Sequence, residues 1–334
     1  MMKVSMKKID CNLALKEELE EPVIGFGVSF TCHPCWKALF DAQIDAIRRH
    51  IARTRADGKL IVYLSCPISD HGGGNHKTNV EIALSVERLL LDKWGERFWI
   101  LNPAQYQMES DHGESMMQEH ADRLKIDLAA LYACYPKNAP APSGGDYMRM
   151  WTKALVEDDP VDHNRRHYYR PSPVGNHALK NTGQHFDAFY FIGPLDVHEF
   201  FCKGEAKSLS SAIETYFASK CETDRDFREA YNIKGIKWGV SPGTRPAKDQ
   251  GTLKLQWEKL RRDYLRFYAL RASVTFSLGS HDEWNIFKRI NDLRRERTSR
   301  NGNLGIAEQL GGLFDGVQIS PASGETTVSK GYAM

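Results

Sequence analysis

Residues 63–79 read YLSCPISDHGGGNHKTN and join a short apolar run to a helical pattern of apolar residues. The three consecutive glycines, Gly72, Gly73 and Gly74, allow backbone N–H groups to approach a ligand closely, and the next helix offers its positive N-terminus. Both features suit phosphate or another anion. The segment has neither the Walker A spacing nor the GxGxxG spacing of dinucleotide-binding loops. The alternative interpretation is a surface turn without a ligand.

Other side chains around the glycines complete a candidate ligand loop. His71 and His76 flank the triplet, and we expect substrate contact rather than metal binding, because no carboxylate or cysteine cluster completes a metal site. The candidate substrate-binding residues of the loop are Ser65, Pro67, Ile68, His71, Gly72, Gly73, Gly74 and Asn75.

Hydrophobic patterns along the chain predict the elements that must position this loop. Short apolar runs predict strands at residues 23–30, 60–66, 98–101, 186–192 and 233–240. Apolar residues at helical spacing predict helices at 36–53, 79–94, 115–135, 146–156, 208–220, 252–272 and 282–297. Alternation of strands and helices predicts a flavodoxin- or Rossmann-like α/β fold: a mostly parallel sheet with helices on both faces, plus helical additions.

A resemblance to a known family rests on three motifs. A strand with Tyr63 followed by Pro-Ile-Ser, a glycine-rich loop and a helix resembles the nucleoside 2-deoxyribosyltransferase superfamily, most closely its nucleoside 5'-monophosphate N-glycosidase branch. Asn102-Pro103 at the end of a strand and the Asp-led strand at Asp187 are the second and third matches. The resemblance covers residues 60–103 and 186–220. It implies phosphate binding by the glycine-rich loop and adds Asn102 and Asp187 as substrate-binding residues.

The same resemblance implies a catalytic carboxylate, since cleavage of an N-glycosidic bond develops oxocarbenium-like charge at C1'. The family places its nucleophilic Glu on the helix after the Asp-led strand, where this chain has Glu214, with Glu205 as the rival. Tyr63 matches a tyrosine that orients this carboxylate in the family. The family's further Asp is replaced here by Leu179, and Asp146 is our candidate substitute. Each residue also has a structural interpretation: a solvated glutamate, a core tyrosine, or a helix cap at Asp146.

The resemblance and the pattern of elements divide the chain into three parts. Residues 1–21 are predicted to form an N-terminal arm, residues 22–245 a nucleotide-handling α/β domain with an insertion at 104–185, and residues 246–334 a helical C-terminal extension. We expect one elaborated domain because the sequence offers no clear boundary.

Composition limits the partners and the location. Lys plus Arg number 45 and Asp plus Glu 43, so the net charge of +2 gives no global reason for a polyanion or a membrane surface. Seven scattered cysteines do not predict a disulfide framework, and no apolar run approaches the ~18 residues of a membrane helix. We therefore expect a cytoplasmic protein without a metal or an organic cofactor.

One segment departs from this balance. Residues 254–300 carry 12 Lys or Arg against 6 Asp or Glu, with aromatic residues interleaved. This pattern is compatible with a nucleic-acid surface, although we favour amphipathic helices whose aromatics are core and whose arginines are solvated. The residues His281, Asp282 and Glu283 are predicted to cap a helix.

The sequence therefore predicts a nucleotide or nucleoside N-glycosidase or deoxyribosyltransferase, in which Glu214 attacks C1' and the glycine-rich loop binds the 5' phosphate. A homo-oligomer is expected from the family, which completes its sites across subunits. An enzyme that cleaves the nicotinamide bond of NAD and a non-catalytic nucleotide- or nucleic-acid-binding module remain open alternatives.

Overall fold

A computed structural model provides the structure of the chain. It describes residues 19–23, 26–69, 73–108, 111–134, 142–156, 183, 185–203, 205, 208–231, 250–271, 277–300 and 310–319. The chain divides into two compact units. The first comprises Met1–Cys66, Leu89–Phe191 and Phe276–Met334, and the second comprises Pro67–Arg88 and Ile192–Thr275. The arm, the α/β domain and the C-terminal extension stay predictions, and the strand expected at 233–240 lies outside the described residues.

The first unit begins with a hairpin where the sequence suggested one strand. Strands β1 (Leu19–Val23) and β2 (Val28–Cys32) pair antiparallel, with Val23 opposite Val28. The expectation of a single strand over 23–30 is therefore wrong. The physical reason is Gly27, whose φ of 80° places it in the left-handed region that favours glycine, so the apolar run VIGFGVSF contains a turn.

A five-stranded sheet forms the centre of the first unit. Its strands are β3 (Leu60–Ser65), β4 (Phe98–Leu101), β5 (Ala188–Phe191), β6 (Gly311–Phe314) and β7 (Val317–Gln318). Their order is β4-β3-β5-β6-β7; the first four are parallel and β7 is antiparallel to β6. The predicted α/β class, with a mostly parallel sheet flanked by helices, is confirmed.

Helices account for most other described residues. Those of the first unit are α1 (Pro34–Ala56), α3 (Asp111–Leu124), α4 (Leu128–Ala133), α5 (Gly144–Val156) and α10 (Leu278–Arg300), while α2 (His76–Trp94) passes from the second unit into the first. The second unit also contains α6 (Pro194–Cys202), α7 (Leu209–Thr223), α8 (Arg225–Ala230) and α9 (Gln250–Arg271). The single helix expected over 115–135 is two helices, because Lys125 adopts a φ of 59° between α3 and α4.

Aromatic packing holds the sheet of the first unit to its helices. Phe189 and Phe191 of β5 pack against Phe287 of α10, each pair of ring centroids lying 5.7 Å apart. Tyr63 of β3 lies 6.0 Å from the ring of Trp151 in α5. Because each such buried side chain contributes roughly 1.5–3 kcal/mol, α5 and α10 are fixed against the strands that carry the candidate site.

The strand order identifies where a ligand site is expected. The chain passes from β3 to β4 on one side and then to β5 on the other, so the topology reverses between β3 and β5. In open α/β sheets, ligands bind outside the carboxyl ends of the strands at such a point. No helix in the described ranges is both long and apolar enough to cross a membrane.

Candidate functional site

A buried carboxyl group lies against the carboxyl end of β3. Tyr63 Oη donates a hydrogen bond of 2.5 Å to Glu283 Oε1, and Ser65 Oγ donates to Glu283 Oε2. The side chains of residues 63 and 65 share one face of the strand, because side chains alternate along β structure. Tyr63 is fully buried and Glu283 is only 4% exposed. The strand thus presents two hydroxyl groups to one carboxyl group that is 218 residues or more away in sequence.

Helix α10 carries this carboxyl group on its apolar face. Glu283 precedes Ile286, Phe287 and Ile290 at spacings of three, four and seven, which places all four side chains on one face of the helix. The three apolar residues are buried in the core of the first unit. Glu283 is therefore the acidic residue of an otherwise apolar stripe.

The helix cap expected at residues 281–283 is wrong, because these residues lie inside the helix. Helix α10 begins at Leu278, four residues earlier than the predicted start, and Ser280 N donates to Ser277 Oγ at its first turn. Residues 281–283 therefore lie within the helix, and Asp282 and Glu283 are both buried.

Burial controls the acidity of the Glu283 carboxyl. Removal from water is the largest effect and raises its pKa, hydrogen bonds from Ser65 and Tyr63 lower it, and the charge of Asp282 raises it; the resulting pKa is about 8. The pKa of Tyr63 is raised well above its usual range, first by burial and then by Glu283. A carboxyl group with a pKa near neutrality can both give and take a proton, as general acid–base catalysis requires.

The neighbouring strand end is occupied by Asn102. Its Oδ1 accepts from Ala104 N at 3.0 Å, which caps the short 3₁₀ helix Pro103–Tyr106, and from Cys66 Sγ at 3.7 Å. Asn102 and Cys66 thus connect the carboxyl ends of β4 and β3. Trp284 of α10 packs on Phe191 at the carboxyl end of β5, with ring centroids 4.9 Å apart.

The glycine-rich loop belongs to the second unit and is held by polar side chains. Asn79 Nδ2 donates to the carbonyl oxygens of Ile68 and Ser69, at 3.0 and 2.8 Å. Asn75 Oδ1 accepts from Thr78 N and so caps α2, while Asn75 N donates to Tyr268 Oη of α9. Of the other candidates in this loop, Pro67 is buried, and His71 and Gly72 lie outside the described residues.

The two described glycines of the triplet have a packing explanation. A Cβ atom at Gly74 would lie 2.7 Å from the Phe267 ring, and one at Gly73 would lie 3.1 Å from the carbonyl oxygen of Asp263. Gly73 also has a φ of 105°. The close approach that these glycines permit is therefore an approach to α9, and the structure gives this reason for them independently of any ligand.

Glu214 and Glu205 occupy exposed positions in the second unit. Glu214 lies on α7, its side chain is 52% exposed, and it forms an ion pair with Arg261 of α9. Ser208 Oγ accepts from Ser211 N and caps this helix. Glu205 is exposed, and its backbone N donates to the Cys202 carbonyl oxygen.

Asp146 is buried at the start of α5 with its carboxylate fully engaged. Ser143 N and Ser143 Oγ each donate to Asp146 Oδ2 at 2.9 Å, and Asp146 N donates back to Ser143 Oγ, which is the arrangement of a capping box. His33 N donates to Oδ1, and His33 Nδ1 lies 2.8 Å from Oδ2. Asp146 therefore joins the start of α5 to the start of α1.

Asp187 lies at the opposite end of the sheet from Glu283. Its Oδ2 accepts from Ile61 N at 2.6 Å and pairs with Arg55 Nη1 at 2.9 Å. Ile61 is near the start of β3, whereas Tyr63 and Ser65 lie toward its end. The structure therefore brings together Tyr63, Ser65 and a glutamate that the sequence did not select, and it leaves Asp187 as an anchor at the amino ends of the strands.

Comparison with known proteins adds no relative: no protein-family model, no curated protein and no solved structure matches the chain. Within the described ranges, no group of three or more His, Cys, Asp or Glu side chains is arranged to hold a metal ion.

Proposed function

We propose that the chain is an enzyme that cleaves or transfers at the N-glycosidic bond of a nucleoside or nucleotide, with Glu283 as its proton-transferring carboxyl. The observation that carries this proposal is the pair of hydrogen bonds from Tyr63 and Ser65 to a buried carboxyl group at the carboxyl end of β3. The resemblance noted above supplies the reaction class, in which a tyrosine at this position orients a catalytic carboxylate.

The chemistry assigned to Glu283 is that of a general acid. As the C1'–N bond breaks, the protonated carboxyl gives its proton to the departing base nitrogen, and the resulting carboxylate accepts hydrogen bonds from Tyr63 and Ser65. In hydrolysis, the oxygen of a water molecule bonds to C1' as the bond from C1' to the nucleophilic carboxylate breaks, and the water gives one proton to Glu283; in transfer, a second base takes the place of water. A pKa of about 8 supports the acid role, because the carboxyl is protonated at neutral pH.

Three parts of the hypothesis rest on the resemblance and the composition alone. They are the nucleophile role of Glu214, phosphate binding by the glycine-rich loop, and a cytoplasmic enzyme that forms a homo-oligomer and needs no cofactor. Glu214 and the loop belong to the second unit, and the nucleophile role of Glu214 is tested by its own variant.

The experiment measures release of free base from a panel of nucleosides, nucleoside 5'-monophosphates and NAD by chromatography. Glu283→Gln keeps the shape but loses the transferable proton, so we expect kcat to fall by about 10²- to 10⁴-fold. Glu214→Gln tests the nucleophile separately. Glu296→Gln is the matched control, because Glu296 is an exposed residue of the same helix.

The outcomes separate the hypotheses. Base release that Glu283→Gln leaves unchanged contradicts the acid role, and release unchanged in Glu214→Gln contradicts the nucleophile. If NAD alone is cleaved, the substrate class changes to dinucleotides. If nothing is cleaved and nucleotides raise the melting temperature, the chain is a binding module.

A further inference from the structure

The basic segment noted in the sequence separates into two kinds of helix. On α10, the described arginines are bonded within the protein: Arg294 donates to the carbonyl oxygens of Gly183 and Phe186, and Arg295 pairs with Asp292. On α9, the aromatic residues Tyr264 and Tyr268 are fully buried. These two tyrosines are therefore core residues, as favoured from the sequence, and the cations of α9 need a separate explanation.

Three of those cations form one exposed stripe. Lys259, Arg262 and Arg266 follow one another at spacings of three and four residues, which places them along one face of α9. At 1.5 Å per residue they extend over about 10 Å of the helix axis. In the part of the chain that the structure describes, none of the three forms an ion pair with an acidic side chain.

The acidic residues of α9 do not neutralise this stripe. Glu258 is half-buried and pairs with Arg261, which also holds Glu214. Asp263 is half-buried beneath Gly73 of the loop. By contrast, the exposed face of α1 carries both signs, since Asp45 lies four residues before Arg49, which lies four residues before Arg53.

The apolar residues of this face are separated from one another. Leu255 is 71% exposed and Leu270 is 63% exposed, but they lie fifteen residues apart, about 22 Å along the axis. Isolated exposed leucines do not make an apolar docking patch. The face therefore offers a partner regularly spaced positive charge, including two guanidinium groups whose planar donors match phosphate oxygens.

We propose that the outward stripe of α9, defined by Lys259, Arg262 and Arg266, binds the phosphate backbone of a nucleic-acid strand. A polymer with a charge at every repeat complements a row of cations, and such contacts carry no sequence preference. This proposal concerns binding and does not depend on base cleavage.

The test is a fluorescence-anisotropy titration of the full chain with a labelled 20-nucleotide single strand of mixed sequence, at several salt concentrations. With three phosphate contacts, the slope of log affinity against log salt is expected near −2. The triple variant Lys259→Gln, Arg262→Gln, Arg266→Gln should weaken binding about tenfold or more at low salt and flatten that slope. The matched control is Arg49→Gln, Arg53→Gln, Arg97→Gln, which removes the same charge from exposed positions of the first unit.

Equal weakening in the two triple variants overturns the proposal, because binding would then follow net charge. Absence of binding by the unaltered chain overturns it as well. Poly-glutamate that competes as well as the oligonucleotide at equal charge would reassign the stripe to an acidic protein. Since all six positions are exposed, the melting temperatures of both variants should equal that of the parent chain, and the readout remains interpretable even if no base is ever released.

Discussion

Glu283 is a buried and Glu21 a partly buried carboxyl group of the first unit, and their environments shift their pKa values in opposite directions. Burial raises the pKa of both. For Glu283 the compensating groups are two neutral hydroxyls, and the pKa remains at about 8. For Glu21, hydrogen bonds and charge from Arg149 and Lys153 outweigh burial and bring the pKa to about 2.

The geometry explains the contrast. Arg149 Nε and Nη2 each donate to a different oxygen of Glu21 at 3.0 Å, and Arg149 Nη2 also donates to Asp41 at 2.6 Å. The cations keep the Glu21 carboxylate ionised, and its hydrogen bonds with Arg149 connect β1 to α5. Hydroxyl groups position the Glu283 carboxyl equally well but leave its proton exchangeable near neutral pH. The identity of the partner, rather than burial itself, decides whether each carboxyl group is ionised or protonated at neutral pH.

The largest expected effect is on the decline of the unfolding free energy between pH 4.5 and about 8, which we call the alkaline limb. Folded Glu283 keeps its proton between pH 4.5 and about 8, whereas the unfolded form loses it, so this contribution is complete below pH 4.5 and is lost as pH rises through 8. Denaturant titrations at several pH values should show the unfolding free energy of the parent chain falling relative to Glu283→Gln, on the order of 4 kcal/mol in total. Parallel curves for the two proteins would contradict the raised pKa.

Loss of Arg149 should be the next largest effect. Arg149→Met leaves Glu21 and Asp41 without their shared buried cation, and we expect a loss of about 3 kcal/mol in unfolding free energy at pH 7. The loss should shrink as pH falls toward 2 and Glu21 becomes protonated in the variant. A cost that does not vary with pH would assign the effect to packing rather than charge.

A smaller effect is expected when one hydroxyl partner of Glu283 is removed. Tyr63→Phe deletes a donor that lowers the pKa of Glu283, so the alkaline limb should move to higher pH, at a stability cost of about 1 kcal/mol. Tyr147→Phe is the matched control: Tyr147 Oη accepts from Met108 N and makes no described contact with Glu283. The hypothesis fails if the limb keeps its midpoint in Tyr63→Phe or moves equally in both variants.

The smallest effect is expected at the exposed edge of the Glu21 cluster. Lys37 Nζ lies 2.8 Å from Asp41 and 3.4 Å from Glu21, but its side chain is half-exposed. Lys37→Gln should therefore cost less than about 1 kcal/mol in a denaturant titration at pH 7. A cost equal to that of Arg149→Met would show that the cluster acts as one unit.

Local patterns predicted those parts of the fold in which one pattern dominates. The apolar runs at 60–65, 98–101 and 188–191 are strands, and the helical spacing after them is helix. The hairpin β1–β2 was missed because Gly27 turns the chain inside an apolar run. Strand β6 was missed because its sequence GGLF carries two glycines and depends on pairing with β5. Helix α6 was missed because Gly193-Pro194, which is typical of a strand end, is here the N-cap and first residue of the helix.

The candidate site was predictable on one side only. Tyr63 was expected to orient a carboxylate, and it contacts one, but the partner is Glu283 and not the predicted Glu214. No short-range pattern connects residues 220 positions apart. The available signal was a glutamate three, four and seven residues before Ile286, Phe287 and Ile290, since an acidic residue on an apolar stripe needs a buried partner.

The strand order has a consequence for biosynthesis. The first unit takes its sheet from residues 60–65, 98–101, 188–191 and 311–318, whereas the second unit is complete by residue 275. On the ribosome, residues of the second unit emerge before α10 and β6 exist. Tyr63 and Ser65 therefore have no carboxyl partner until residue 283 has been released from the ribosome. Contacts between residues so far apart in sequence form slowly. The hydrogen bonds from β3 to Glu283 can therefore form only after the residues of the second unit have been synthesised.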